Sequence, residues 1–120
     1  MAAVRVSGTG EMVAADTRAA HGLVSRTRGL MLRKTLGDGE ALDIRPCGSI
    51  HMMFMRFPID AVFYDREFRV TKVASRVKPW TGIAFGGKGA HGVIEMRAGT
   101  AGSVHAGDLL EFEAEKQGTS

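Results

Sequence analysis

Ile59-Asp60-Ala61-Val62-Phe63-Tyr64, then Asp65-Arg66-Glu67, then Phe68-Arg69-Val70-Thr71-Lys72-Val73-Ala74-Ser75-Arg76-Val77: these nineteen consecutive positions decide the fold. Two runs rich in β-branched and aromatic residues flank three charged residues, which predicts two strands separated by a turn. Working outward, the same grammar predicts strands at Ala3 to Val6, Glu11 to Ala15, Ala41 to Ile44, Ile50 to Arg56, Gly92 to Met96 and Leu109 to Glu113. Leu36-Gly37-Asp38-Gly39, Pro46-Cys47-Gly48 and Ala106-Gly107-Asp108 supply further turns. Many short strands at close spacing favour a sandwich or barrel over a parallel α/β sheet.

One helix is expected, within Asp16 to Gly29. Asp16 or Thr17 offers an N-terminal cap, and Ala20, Leu23 and Val24 fall on one face at helical spacing. Arg26 and Arg28 suit the C-terminal end of the helix dipole, and Gly29 suits a left-handed cap.

Composition narrows the class. The chain has 120 residues, 44% hydrophobic and 24% charged, enough for one domain with its own core. A single β domain is expected over residues 1–115, with a frayed polar tail at 116–120. No apolar run reaches the roughly 18 residues of a membrane helix. Met1 to Val6 shows no basic region leading into an apolar run, so no secretory signal and no membrane partner are expected. Cys47 is the one cysteine, which excludes an intramolecular disulfide and fits a reducing cytoplasm. The net charge of +3 is uneven. Arg18, Arg26, Arg28, Arg33 and Lys34 cluster early, while Glu111, Glu113 and Glu115 follow Asp108. Nucleic-acid binders usually add interleaved aromatics to such a stripe, so a solvated basic face is the preferred reading and nucleic acid is not the expected partner.

A family resemblance rests on ordered blocks. These are Arg28-Gly29-Leu30-Met31, His51 to Asp60, Val62-Phe63-Tyr64-Asp65, Lys78-Pro79-Trp80, Val93-Ile94-Glu95-Met96, Ala98-Gly99 and Gly107-Asp108. Together they resemble domain-of-unknown-function family one hundred and ninety-two, an uncharacterised bacterial and archaeal family. That family often has threonine after the histidine, where this chain has Met52. The resemblance implies a compact, mainly β, jelly-roll-like domain, here with one short N-terminal helix, and implies no activity.

Candidate chemistry concentrates in His51 to Asp60. If Ile50 to Arg56 is one strand, His51, Met53 and Met55 share a face, with Cys47 upstream. Imidazole, thioether and thiolate suit Cu(I), but methionines equally fill a β core, and the core reading is adopted: no metal and no cofactor are expected. His51 oriented by Asp60 or Glu95 would suit acid–base chemistry. Arg56 and Asp60, bracketing Phe57-Pro58, are expected to form an ion pair. Glu95 would face solvent by alternation or need a buried partner. Phe85 to Gly92 is glycine-rich but lacks the Gly-Lys-Ser/Thr ending of a phosphate loop. Trp80 is the best recognition anchor. The favoured function is a non-catalytic module binding an unidentified small molecule or protein, with candidate ligand-binding residues His51, Arg56, Asp60, Trp80 and Glu95. The alternative is a hydrolase-like enzyme using His51, Asp60 and Glu95. A weaker alternative is nucleic-acid association through the Arg18 to Lys34 face.

Overall fold

The computed structural model describes residues 2–20, 37, 39–52 and 55–114. Among these residues nine strands form: β1 (Ala2–Val6), β2 (Met12–Ala20), β3 (Glu40–Ile44), β4 (Ser49–His51), β5 (Ile59–Tyr64), β6 (Val70–Val77), β7 (Ile83–Phe85), β8 (Gly92–Arg97) and β9 (Leu110–Ala114). Seven form one mixed sheet in the order β6-β5-β8-β3-β2-β1-β9, and β4 pairs with β7 in a separate two-stranded sheet. β5 and β6 run antiparallel, as their sequence predicts, with Val62 opposite Val73 and Ile59 opposite Val77.

No helix forms among the described residues. The expected helix is corrected at its start, because Asp16 to Ala20 are strand, laid parallel to Glu40–Ile44 of β3. The part from His21 to Gly29 lies outside the described residues. The reason is tertiary: Asp16 to Ala20 form a continuous ladder on β3, and the earlier part of β2 is held on its other side by β1, through Met12, Ala14 and Thr17. A capping preference worth about 1 kcal/mol does not outweigh that.

The barrel expectation is also corrected. The large sheet is open, and its edge strands β6 and β9 meet near one end, where Arg69 bridges Leu109, Leu110 N–H donates to the Phe68 carbonyl at 2.8 Å and Val70 N–H to the Asp108 carbonyl at 2.7 Å. The sheet is therefore curled without being closed. Strand alternation then builds two cores. Val62, Tyr64, Ile94 and Met96 point into the curl and meet Val4, Val70 and Leu110. Ile59, Ala61, Phe63 and Val93 point the other way and meet Ile50, Met52, Met55 and Ala84 from the small sheet and its flanks. The small sheet is thus a lid over the outer face of β5 and β8. No helix among the described residues is long and apolar enough to cross a membrane.

Candidate functional site

Of the sequence candidates, His51 lies on the small sheet and Trp80 in the turn before β7. Ser49 pairs with Phe85, Ile50 with Ala84 and His51 with Ile83. Burial alternates strictly: Ile50 and Ala84 point into the core, while Ser49, His51, Ile83 and Phe85 are exposed. Ile83 retains 63% of its surface, Phe85 65% and Trp80 53%, far more than apolar side chains of this size usually leave in water. Trp80 is fixed beside this face, since its backbone N–H donates to the Met52 carbonyl at 2.8 Å, and Met52 N–H donates to Gly82 at 2.9 Å. Trp80 also has φ +67, a left-handed conformation that costs a bulky residue energy and is held only where its surroundings over-determine it. The structure therefore places His51, Ile83 and Phe85 on one exposed face and holds Trp80 in the turn that leads into β7. β7 was not read from the sequence, because three residues between Gly82 and Gly86 are too short to show a period. A β-branched and an aromatic residue, Ile83 and Phe85, were its local signal.

The supposed strand from Ile50 to Arg56 ends at His51. Met55 N–H donates to the Met52 carbonyl at 3.0 Å, so the chain turns there. Met52 and Met55 both enter the outer core, and His51 stays outside. The shared face of His51, Met53 and Met55 is thus not built by a continuous strand. Met53 lies outside the described residues. Among those described, no three His, Cys, Asp or Glu side chains cluster as metal ligands. Cys47 is partly buried, and its thiol donates to the Ser49 carbonyl at 3.0 Å.

Asp60 is elsewhere and fully engaged. Its carboxylate accepts from the backbone N–H groups of Arg76 at 2.8 Å, Gly99 at 2.9 Å and Ala101 at 3.0 Å. β6 carries an extra residue opposite Asp60, with Arg76 at φ +51. Such a bulge frees an N–H from the ladder, and Asp60 takes it. The expected ion pair with Arg56 is corrected: Asp60 is saturated by amides, and Arg56 is exposed in solvent. Glu95 opposes Ala61 whereas Asp60 opposes Met96, so the two carboxylates leave opposite faces of the sheet. Glu95 is buried on the outer-core side, between Ala61 and Leu42 of the neighbouring strands. No hydrogen bond or ion pair reaches it among the described residues, and burial alone pushes its carboxyl up to about 7. His51, Asp60 and Glu95 accordingly stand in three different environments rather than in one acid–base array.

A polar centre went unread in the sequence. Tyr64 donates its hydroxyl to Asp43, which also accepts from Arg45. The Arg45 guanidinium sits over the rings of Tyr64, Phe68 and Phe112, 5.2 to 5.6 Å from their centroids. Burial, then the hydrogen bond to Asp43, holds the Tyr64 hydroxyl protonated. The cation is paired with Asp43 and faced by three aromatic rings. These residues come from β3, β5, β9, the bend after β3 and the turn between β5 and β6, so no sequence spacing reports them. Of the basic stripe, Arg18 is exposed on β2, and Arg26, Arg28, Arg33 and Lys34 lie outside the described residues.

Residues 4–112 match the profile of DUF192, described as an uncharacterized ACR. The chain belongs to the DUF192 family. A UPF0127 protein from Thermococcus sibiricus is 32% identical over 115 residues, covering 91% of this chain and 70% of that protein. A crystal structure of a protein of unknown function from Novosphingobium aromaticivorans superposes with a TM-score of 0.80 at 25% identity, covering 91% of this chain and 83% of the other. A Sinorhizobium meliloti protein, named as a candidate transcription regulator, superposes with a TM-score of 0.79 at 21% identity over 92% of each chain, a likeness of fold alone. The DUF192 family is one of unknown function, and the first two of these relatives carry names that assign no reaction or ligand.

Proposed function

We propose that this DUF192 domain is a non-catalytic binding module. Its contact surface is the outer face of β4 and β7, around Trp80, Ile83, Phe85 and His51. One observation carries the reading: Ile83 and Phe85, each more than half exposed, share one face of a two-stranded sheet whose other face is core, and the turn leading into β7 carries the equally exposed Trp80. Scattered exposed apolar residues are ordinary, but a contiguous group rimmed by polar residues marks an interaction site. The aromatic members supply the anchors that dominate interface energetics. The compact jelly-roll description of the family is compatible with a curled sheet carrying such a lid, and a lone, partly buried cysteine suits a cytoplasmic protein.

Trp80 is the one tryptophan of the chain, so its fluorescence reports this face alone. Titration with anilinonaphthalene sulfonate is expected to give saturable energy transfer from Trp80. Ile83→Thr and Phe85→Ser should abolish the transfer while leaving the circular dichroism unchanged. Dye binding that ignores both substitutions would remove this face from consideration.

A further inference from the structure

We infer that the outer edge of β7 receives an extended peptide with alternating apolar side chains and acidic flanks, added to the small sheet as a third strand. The inference rests on the binding-module reading and names its partner class. Met52 N–H reaches the Gly82 carbonyl and Gly86 N–H reaches the Gly48 carbonyl, at 2.9 and 2.8 Å. With the observed register, Ile50 and Ala84 then exchange the ladder bonds between them. The N–H and C=O groups of Ile83 and Phe85 therefore point away from β4. Among the described residues no strand pairs with that edge, and neither residue has a hydrogen-bond partner. Natural sheets blunt such edges with charges, proline or a covering segment. Here the two outward-directed residues are instead isoleucine and phenylalanine, both largely exposed. Main-chain groups that want a strand and side chains that want apolar cover coincide on the same two residues, which is the recognition chemistry of strand addition.

Charge selects the flanks. No aspartate or glutamate occurs from Ile44 to Ile59 or from Arg76 to Ile94. Exposed Lys78 and Lys88 bracket β7 before and after, and exposed Arg56 lies just beyond the Met52 turn. A peptide with Asp or Glu outside its apolar core complements both ends. A second copy of this chain does not: antiparallel β7-to-β7 pairing would set Lys78 of one copy toward Lys88 of the other. The backbone is also held ready for a strand. A Cβ on Gly86 would lie 2.5 Å from Phe63, and one on Gly82 would lie 2.5 Å from the Lys78 carbonyl, so both ends of β7 sit tightly against their surroundings. Preorganisation of this kind lowers the ordering cost of binding.

The test selects binders from a displayed library of random twelve-residue peptides, using the intact chain as bait, and maps each enriched peptide by NMR. Enriched peptides should alternate β-branched or aromatic residues and carry Asp or Glu at their ends. On binding, the amides of Ile83 and Phe85 should shift and become protected from hydrogen exchange. Methylating the peptide nitrogens that face β7 should weaken binding by about tenfold. Lys78→Glu with Lys88→Glu should weaken acidic-flanked peptides and leave neutral-flanked ones unchanged. If methylated peptides bind equally well while Phe85→Ser still abolishes binding, strand addition is wrong and the apolar-face reading survives. If peptides and dye alike ignore Ile83 and Phe85, both readings fall. No enriched peptide, or concentration-dependent self-association protecting the β7 amides, would also overturn the inference.

Discussion

Asp60 and Glu95 are both buried carboxylates in adjacent strands, yet their surroundings give them opposite properties. Asp60 is stabilised by three backbone donors that have no other described partner to turn to. Asp60→Ala is expected to cost about 2–4 kcal/mol, since each abandoned buried donor carries a desolvation penalty. Arg56→Ala should stay within about 0.5 kcal/mol, as for surface positions without special contacts. Urea denaturation of both variants checks this, and a large Arg56 effect would revive the ion pair. Among the described residues no donor supports Glu95 in this way. Its carboxyl titrates near 7 in the folded state and near 4.5 when exposed. A folded-state value raised in this way means that stability is highest below the ordinary glutamate value. It declines as pH rises from there toward 7 and is level above. Glu95→Gln should erase that decline, so the variant should gain on the native chain by up to about 3 kcal/mol at pH 8, with little gain at pH 4. Thermal melts across that range read the sign directly.

Among the elements, β7 shows how a short strand is made by its neighbours. Three residues carry little intrinsic preference, but Gly82 and Gly86 let the backbone approach Lys78 and Phe63 more closely than any side chain permits. Gly86→Ala is expected to destabilise the fold by about 1–3 kcal/mol, through overpacking against Phe63. It should also speed hydrogen exchange in β4 and β7 before it affects β5 and β8. Exchange rates measured by NMR separate the two levels, and uniform acceleration would mean that the small sheet has no local opening of its own.

On the scale of the molecule, β5 and β8 are shared by both cores. Val93 serves the outer core and Ile94 the inner one, although they are sequence neighbours. Because one sheet carries both faces, damage to either should lower a single cooperative transition. Val93→Ala and Ile94→Ala are each expected to shift one calorimetric peak without splitting it, Ile94→Ala by about 2–5 kcal/mol. Two resolved peaks in either variant would show that the small sheet and outer core unfold apart from the curled sheet.

Most of the β architecture was written in local residue pattern. Runs such as Ile59 to Tyr64 and Gly92 to Met96 declare strands because side-chain alternation and β-branched content are properties of neighbours in the chain. Trp80 and His51 stood out as candidates for the same reason: their chemistry is visible wherever they sit. Only the tertiary structure decided that Asp16 to Ala20 is strand rather than helix, because β3 supplies the partner strand along its whole length. It alone separated Asp60 from Glu95, through the strand register that sends them to opposite faces. It alone assembled Arg45 with Asp43, Tyr64 and the two phenylalanines, and made Ile83 and Phe85 an exposed edge. Local pattern states which faces a strand has. Which neighbour covers each face depends on contacts between distant residues, and those follow from how the whole chain minimises its exposed apolar surface and unpaired backbone.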